Sequence, residues 1–248
     1  MAKLTSEEKD LLYLAKGRGK SEGLFLVEGE REISHIKEVE ALYYAEESSW
    51  IREMREKRVP LKRVSKEVLT RSTYREGAPL AVAKRFSYKE ERLSKKTFLL
   101  LIEGVEKPGN LGAILRSAEA AGVEGVIFSN LSVDPFHPNA IRASLGAFFR
   151  LPFLILSPKE SKAFLEKEKM QIVVASPHSQ KSYFQVDFQK PTCLVVGSEA
   201  EGVSPIWQRD TVFVNIPMYG KIDSLNVSVA TAVLLYEVVR QRYEPSLS

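Results

Sequence analysis

Residues 103–116, with the sequence EGVEKPGNLGAILR, combine a turn with the start of an apolar helix. A strand-like run ends before Pro108 and Gly109, and Asn110 is well placed to cap the helix that follows. Apolar residues recur along this helix at the spacing of one buried face, which leaves Arg116 on the far side, directed at solvent, a ligand or another chain. A plain cap and a surface arginine would give the same pattern. Parallel sheets, however, bind ligands at the carboxyl ends of their strands, where this turn lies.

A glycine-containing turn, GSEAEG at 197–202, directly follows another apolar run. Turns of this kind often hold phosphate, but Glu199 and Glu201 would repel a pyrophosphate and no lysine follows them. A cationic or zwitterionic small molecule fits better. S-adenosylmethionine, which carries a sulfonium and an amino group but no phosphate, is such a molecule. The alternative is a solvent-exposed turn whose carboxylates have no function.

The third segment, residues 214–230, runs from a strand through an IPMYGK loop into a helix that is apolar on nearly every side from 227 to 239. A helix of that composition is expected to be buried. Asp223, Ser224 and Asn226 therefore cluster at its N-terminus, where unpaired backbone N–H groups also point. Because capping accounts for only one of these residues, the cluster indicates a ligand site.

The elements that must position these segments form a regular alternation from Thr97 onward. Apolar runs of strand length alternate with helix-like segments, which is typical of a parallel sheet covered on both faces. The predicted strands are 98–102, 125–128, 172–175, 194–196 and 212–216, and the predicted helices are 111–121, 139–148, 159–168 and about 224–242. We therefore expect an α/β fold.

The N-terminal third reads as a smaller α/β unit. Thr5 and Glu8 have the spacing of a capping box at the start of a first helix. Short strand candidates follow at 25–27, 41–45, 61–64 and 80–83. The charged stretch 84–96 lacks sustained periodicity and is the best linker candidate. We accordingly predict two domains, residues 1–96 and residues 97–248.

Positive charge is concentrated in the first of these domains. The whole chain of 248 residues has a net charge of +4, but residues 1–96 hold 22 Lys and Arg against 17 Asp and Glu. Seven of those cations fall between residues 52 and 66. A basic module beside a near-neutral one suits an enzyme whose polyanionic substrate is held by an auxiliary domain. The alternative is a solvated helix and strand edge.

Several other classes of protein fit the sequence poorly. The longest apolar run, 229–235, is far too short to span a membrane, and the N-terminus does not resemble a signal peptide. The single cysteine, Cys193, excludes an internal disulfide and is more typical of a core residue than of a nucleophile. No Cys/His cluster has the spacing of a metal site. Tyr43 and Tyr44 could stack on bases, but a strand of this composition more often packs a core. A cytoplasmic location is expected.

Taken together and in order, the three segments resemble the SpoU (TrmH) family of RNA 2′-O-ribose methyltransferases, within the SPOUT class. The matching stretches are KPGNLGAILRSAEAAG, VVGSEAEGVS and IPMYGKIDSLNVSVATAVLLYE, and NAIRASLGAFFRLP is similar to a further family segment. This match covers roughly residues 97–243. The N-terminal stretch KGRGKSEGLFLVEGEREI is similar, less specifically, to the auxiliary substrate-binding domain of members that modify ribosomal RNA.

The resemblance implies a deep trefoil knot near the C-terminus and a homodimer whose active sites form at the knotted interface. It implies S-adenosylmethionine as the cofactor, held by the loops at Gly197, Ile216 and Leu225, with Met218 and Ser224 adjacent. It also assigns catalytic positions, which in this sequence are Asn110, Arg116, Glu199 and Asn226. One departure is Ala200, which stands where the family often has glycine.

The expected reaction is an in-line methyl transfer from the sulfonium to a ribose oxygen of structured RNA, with the large-subunit (23S) ribosomal RNA as the preferred substrate. Because a guanidinium stays protonated in ordinary surroundings, we favour Arg116 as a clamp on phosphate and hydroxyl, with base character only if a phosphate assists. Transfer RNA is the alternative substrate. A non-catalytic RNA-binding ribosome-assembly factor and a small-molecule enzyme are the rival functions; the sequence motifs argue against both.

Overall fold

A computed structural model describes residues 4–15, 23–198 and 201–243. The chain divides into two compact units. The N-terminal unit comprises residues 1–86 together with 136–149, and the C-terminal unit comprises residues 87–135 together with 150–248. Among the described residues, no helix is both long enough and apolar enough to cross a bilayer.

The N-terminal unit is built on a four-stranded mixed sheet of order β1-β4-β2-β3, in which β4 is antiparallel to β1 and β2 while β3 is parallel to β2. Its elements are α1 (Ser6–Ala15), β1 (Leu24–Glu28), α2 (Glu30–Ile33), β2 (Val39–Tyr44), α3 (Ser49–Glu56), β3 (Leu61–Arg63), α4 (Lys66–Ser72) and β4 (Leu80–Lys84). All four strand predictions are confirmed. The predicted capping box is also present, since Glu8 N–H donates to Thr5 Oγ1 at 3.2 Å and Thr5 N–H donates to Glu8 Oε2 at 3.0 Å.

The core of this sheet includes the paired tyrosines of β2. Tyr43 and Tyr44 are both buried, and Tyr43 packs with Leu11 of α1 and Leu69 of α4. Their core role is therefore confirmed, and the stacking role considered for them is wrong because buried rings cannot meet a base.

Residues 136–149 belong with the N-terminal unit because of aromatic packing. The Phe136 ring lies 4.8 Å from Phe25 of β1, 5.5 Å from Phe86 and 5.1 Å from Phe148, measured between centroids. The single helix predicted over 139–148 is wrong. Two short helices, α6 (Pro138–Ala143) and α7 (Ala147–Arg150), are separated by Leu145 at φ 50° and Gly146 at φ 88°, a left-handed conformation that ends a helix.

The C-terminal unit is an all-parallel sheet of six strands in the order β10-β8-β9-β5-β6-β7. Its elements are β5 (Phe98–Glu103), α5 (Pro108–Ala120), β6 (Gly125–Ser129), β7 (Phe153–Leu156), α8 (Pro158–Lys167), β8 (Gln171–Ala175), β9 (Thr192–Val196), β10 (Val212–Val214) and α9 (Val227–Tyr243). The α/β prediction is confirmed, and the five predicted strands are all present. Strand β7 was not predicted.

Burial in this sheet follows from its covered faces. Every residue of β5, β6 and β9 is buried. Cys193 of β9 is fully buried in the core, which confirms its prediction as a core residue, and this burial raises the pKa of its thiol far above the ordinary value.

The stretch predicted as a linker, 84–96, is not a free connection. It contains a 3₁₀ turn (Glu90–Arg92) followed by Leu93, which is fully buried in the core of the C-terminal unit. Glu168 accepts hydrogen bonds from the Ser94 hydroxyl and from Lys95 N–H. The C-terminal unit therefore begins after residue 86 rather than after residue 96, because an apolar side chain inside this charged stretch anchors it.

Candidate active site

The carboxyl ends of three neighbouring strands define the candidate site. Because β10, β8 and β9 are parallel and adjacent, the chain leaves all three at the same edge of the sheet. Backbone hydrogen bonds fix these exits relative to each other. Ser176 N–H donates to Val214 O at 2.8 Å, and Asn215 N–H donates to Lys181 O at 2.8 Å.

A cavity of about 400 Å³ opens at this edge. All five residues predicted to bind the cofactor line it: Gly197, Ile216, Met218, Ser224 and Leu225. Val196, Val203 and Val227 add to its apolar wall. The structure thus brings together two sequence segments that were recognised separately, 197–202 and 214–230.

The charge of the cavity wall is unusual for a nucleotide site. Glu201 and Asp223 contribute carboxylates and His178 contributes an imidazole, whereas the described lining contains no lysine or arginine. A polyphosphate would find no counter-charge there. A small ligand with positive charge and an apolar ring system fits this wall, as the sequence analysis expected.

The turn after β9 is closed by its own backbone. Ser198 N–H donates to Gly202 O at 2.9 Å, Gly202 N–H donates to Ser198 O at 3.0 Å, and Gly202 adopts φ 69°. A Cβ at Gly197 would lie 2.3 Å from Gly202 O, so this position requires glycine. The predicted catalytic residue Glu199 lies outside the described residues, as does Ala200.

Glu103, the last residue of β5, anchors the chain that follows this turn. Its buried carboxylate accepts hydrogen bonds from Ser204 N–H at 2.9 Å and from the indole N–H of the fully buried Trp207. Since Val203, Ser204 and Pro205 line the cavity, one carboxylate of the central strand fixes part of its wall. This role was not predicted; a glutamate ending an otherwise apolar strand is the signal that could have indicated it.

Asn110 and Asn226 meet between two helices. The Nδ2 of Asn226 donates to Oδ1 of Asn110 at 3.3 Å, and α5 packs against α9. Asn226 also caps α9, because its Oδ1 accepts from Ser228 N–H at 2.9 Å. In sequence it lies between Leu225 and Val227, which both line the cavity.

Two details of these helices correct the sequence analysis. Asn110 does not cap α5; the helix begins at Pro108, with Lys107 as its N-cap residue, because proline is well suited to the first helical position. The last helix begins at Val227 rather than near residue 224, so Asp223 and Ser224 belong to the preceding loop.

The prediction that α9 is buried, because it is apolar on nearly every side, holds for only part of the helix. Val229, Tyr236 and Tyr243 recur at intervals of seven residues and are 49%, 52% and 66% exposed. These three residues, here called the α9 strip, form an apolar line along one side of the helix. The opposite side of α9 packs on the core of the C-terminal unit, whereas the α9 strip is exposed.

Arg116 is exposed on α5, whereas Leu111, Ile114, Leu115 and Ala118 are buried, as the helical spacing predicted. It is not among the residues that line the cavity. Of the four predicted catalytic residues, the structure therefore joins Asn110 and Asn226 directly, and neither this pair nor Arg116 is among the residues that line the cavity.

A model of the SpoU rRNA Methylase family matches residues 97–236, which is more than half of the chain. The chain belongs to this family. The resemblance drawn from its motifs is thereby confirmed, and the match begins one residue before β5 and ends within α9.

Individual relatives extend the comparison of this SpoU methylase beyond the matched region. A 23S rRNA (uridine(2479)-2′-O)-methyltransferase of Streptomyces viridochromogenes is 33% identical over 240 residues, 89% of this chain and 84% of that protein. An uncharacterized tRNA/rRNA methyltransferase of Synechocystis sp. is 38% identical over 151 residues, 59% of this chain. That second match spans only 54% of the Synechocystis protein. A 23S rRNA (guanosine-2′-O-)-methyltransferase of Pseudomonas aeruginosa is 34% identical over 154 residues, 61% of this chain and 62% of that protein.

Among solved structures, the SpoU methyltransferase AviRb from Streptomyces viridochromogenes, in complex with AdoMet, superposes on this SpoU methylase with a TM-score of 0.88 at 29% identity. The alignment covers 98% of this chain and all of that one. An RNA 2′-O ribose methyltransferase structure gives a TM-score of 0.82 at 34% identity, over 96% of this chain and 97% of that one. The likeness therefore includes the N-terminal unit as well as the family region.

Sequence reasoning about this SpoU methylase missed the part of the cavity wall that comes from β8. Ala175, Ser176, Pro177 and His178 line the cavity although their segment carries no recognised motif. The strand itself was predicted. Its place beside β9 and β10 was not, because strand order depends on long-range pairing that no local pattern records.

Proposed function

We propose that this SpoU methylase transfers a methyl group from S-adenosylmethionine to a ribose 2′-hydroxyl of large-subunit ribosomal RNA. The observation that carries the proposal is the cavity at the carboxyl ends of β8, β9 and β10, which is lined by carboxylates and apolar side chains and by all five predicted cofactor residues. The names of two relatives, each a 23S rRNA 2′-O-methyltransferase, support the reaction and the substrate. The AdoMet complex of AviRb supports the cofactor.

The residues present fit this cofactor. When bound, S-adenosylmethionine supplies a methyl group on a positively charged sulfur. Ile216, Met218 and Leu225 offer apolar surface for the adenosine. Gly197 lets the turn after β9 pack closely on Gly202, which shapes this side of the cavity. Glu201 and Asp223 offer negative charge to the amino and sulfonium groups.

The ribose hydroxyl must be oriented and must lose its proton as the methyl group is transferred. We assign its orientation to the paired amides of Asn110 and Asn226, with Glu199 ordering the adjacent turn. Arg116 clamps the neighbouring phosphate and the hydroxyl, since a guanidinium is a strong donor and a poor base. The proton leaves to solvent or through the phosphate that Arg116 holds.

We further propose that the protein is a homodimer whose α9 strips face each other. An exposed apolar line along a helix is stabilised when a second copy covers it. Arg116 is exposed and, like Asn110 and Asn226, is not among the residues that line the cavity of its own chain. We assign each exposed Arg116 to the cavity of the other subunit, which gives a shared site. The knotted chain path is proposed on family membership, and cytoplasmic location on the proposed ribosomal substrate.

The test of the reaction is transfer of radiolabelled methyl groups from S-adenosylmethionine to RNA isolated from cells lacking the protein. We expect label in 23S ribosomal RNA at a ribose oxygen, resistant to alkaline cleavage at that position. Transfer RNA from the same cells is the parallel substrate. Label in transfer RNA alone would identify transfer RNA, rather than 23S ribosomal RNA, as the substrate. Absence of label in both RNAs, together with no calorimetric binding of S-adenosylmethionine, would reject the reaction.

Arg116→Ala separates catalysis from cofactor binding. We expect methyl transfer to fall by about 100-fold or more, because a positioned donor at the reacting oxygen is lost. Cofactor affinity measured by calorimetry should stay unchanged. Wild-type turnover in this variant, with unchanged RNA binding, would show that Arg116 has no role.

Co-expression tests the shared site. Chains carrying Arg116→Ala and chains carrying Gly197→Ala should each be inactive alone. Mixed dimers made by co-expression keep one intact site, so activity should recover to about a quarter of wild type if the chains assort randomly. Absence of recovery in purified mixed dimers would show that each chain uses its own arginine.

A further inference from the structure

An aromatic side chain stands exposed on the N-terminal unit. Tyr74 lies in the turn between α4 and β4 and is 59% exposed. The guanidinium of Arg142, from α6, covers one face of its ring, with Cζ 5.0 Å from the ring centroid. Arg142 is itself held by Asn139, whose Oδ1 accepts a hydrogen bond from Nη2 at 2.5 Å. The ring is therefore backed on one face by a fixed cation while much of the residue stays open to solvent.

The turn that carries Tyr74 is fixed from within the unit. Glu28, at the end of β1, is buried, and its two carboxylate oxygens accept from successive backbone N–H groups: Oε2 from Tyr74 at 2.8 Å and Oε1 from Arg75 at 2.6 Å. Water could satisfy the N–H groups of an exposed turn. Because a buried carboxylate carries a desolvation cost, its use here indicates that the backbone position of Tyr74 matters.

A second buried carboxylate, Glu32 of α2, lies beside this turn. Glu32 is fully buried, and neither of its oxygens has a hydrogen-bond partner among the described residues. The nearest positive charge is Nη1 of Arg75 at 3.9 Å, on a side chain that is half-exposed. The turn thus presents an aromatic ring and an adjacent guanidinium, on a backbone held by Glu28 and with the carboxylate of Glu32 beside the guanidinium.

We propose that Tyr74 is a stacking platform for an unpaired base of the RNA substrate. The inference rests on the proposed function, which gives the N-terminal unit an RNA to hold. Sequence-selective recognition of RNA uses unpaired bases that stack on aromatic rings and arginine planes. The base stacks on the face of Tyr74 opposite Arg142, and Arg75 contacts a neighbouring phosphate.

The experiment measures binding of unmethylated 23S ribosomal RNA to the full-length protein across a series of KCl concentrations. Tyr74→Ala should weaken binding by roughly 5- to 150-fold, the range for one lost base stack. The slope of log affinity against log salt should not change, because the tyrosine neutralises no phosphate. Tyr74→Phe should bind like wild type, whereas Tyr74→Leu, with apolar bulk but no π-face, should resemble Tyr74→Ala. Arg75→Ala should instead reduce the salt slope by about the amount expected for one phosphate.

The matched control is Phe184→Ala, which removes a ring of similar exposure, 54%, from the C-terminal unit and should leave RNA affinity unchanged. Circular dichroism and thermal unfolding verify that each variant is folded. Unchanged affinity in Tyr74→Ala, equal losses in Tyr74→Phe and Tyr74→Ala, or a changed salt slope in Tyr74→Ala would each overturn the stacking role. Those results leave the proposed function standing if the wild-type protein binds and methylates the RNA. If the wild-type protein does neither, both proposals fail.

Discussion

Individual side chains in the C-terminal unit have roles that follow from where a strand ends. Glu103 closes β5, a strand whose other five residues are apolar, and its carboxylate holds Ser204 and Trp207. The candidate site therefore depends on a residue that does not line the cavity. Glu103 is a positioning residue for the wall formed by residues 203–205.

Replacing this carboxylate should loosen the wall. Glu103→Gln keeps an acceptor but loses the charge, so we expect unfolding free energy to fall by about 1–3 kcal/mol. Cofactor affinity should fall several-fold in parallel. Urea unfolding and calorimetric titration with S-adenosylmethionine measure the two effects. Glu106→Gln, at an exposed glutamate of the following turn, is the control, and equal behaviour of the two variants would contradict the anchoring role.

The buried thiol of Cys193 predicts how the stability of the protein depends on pH. Its thiol pKa is raised in the folded state by burial, so the folded protein keeps the proton while the unfolded chain loses it above about pH 8.5. The stability contributed by this group is therefore fully present below the pKa that the thiol has in the unfolded chain. Above that pKa, the free energy of unfolding falls by about 1.4 kcal/mol per pH unit. Urea unfolding of wild type and Cys193→Ala between pH 8 and pH 10 measures the difference. Parallel pH profiles would show that the thiol does not contribute.

At this scale, sequence reasoning succeeded where a residue's environment follows from local periodicity. The buried face of α5 and the exposure of Arg116 follow from helical spacing alone. The N-cap of α5 was misplaced, because Pro108 can occupy the first helical position and so shifts the start of the helix toward the N-terminus. Glu103 was missed because its partners lie about a hundred positions away in the chain.

Among the elements, α9 differs most from its sequence-based expectation. Its composition, apolar on nearly every side, predicted a buried helix, but the α9 strip is exposed. Composition shows which residues prefer burial and cannot show whether the same chain or a second copy covers them. Strand β7 was not predicted from the sequence for a different reason. It has only four residues and lies at the edge of the sheet, where Ile155 is 55% exposed. Short apolar runs carry little periodicity.

The α9 strip predicts the assembly state. Placing a charge on it by Tyr236→Glu should convert the proposed dimer into a monomer of 27.9 kDa, because a carboxylate would be desolvated in an apolar interface. Sedimentation equilibrium measures the mass. Ile155→Glu, at a similarly exposed apolar residue outside α9, is the control and should leave the mass unchanged. A monomeric wild-type protein, or a dimeric Tyr236→Glu variant, would refute the interface.

For the whole molecule, the uneven charge predicts how RNA is held. Arg52, Arg58 and Arg63 are exposed in the N-terminal unit, within the basic run noted in the sequence. Changing all three to glutamine should weaken 23S ribosomal RNA binding and reduce the salt slope by up to about 0.9 for each phosphate that is no longer neutralised. Filter binding at several KCl concentrations measures the slope. The affinity for S-adenosylmethionine is the control and should not change. An unchanged slope would mean that other cations hold the phosphates.

The order of the strands within the sheet is the feature of the fold that could not be predicted from the sequence. The alternation of apolar runs and helices was sufficient to predict a parallel α/β sheet, and the motifs were sufficient to identify the family. The neighbours of each strand were not predictable, because pairing joins residues distant in sequence. For this reason the cofactor loops were anticipated individually while the contribution of residues 175–178 to the same cavity was not.

The phenylalanine packing of residues 136–149 has a consequence for protein engineering and for evolution. The N-terminal unit is encoded by two separate stretches of the gene, with part of the C-terminal unit encoded between them. A chimaera that exchanges this unit with that of a relative must transplant both stretches, or Phe25 and Phe86 lose the rings they pack against. Recombination at a single breakpoint would separate those rings, so the two stretches are expected to be inherited together.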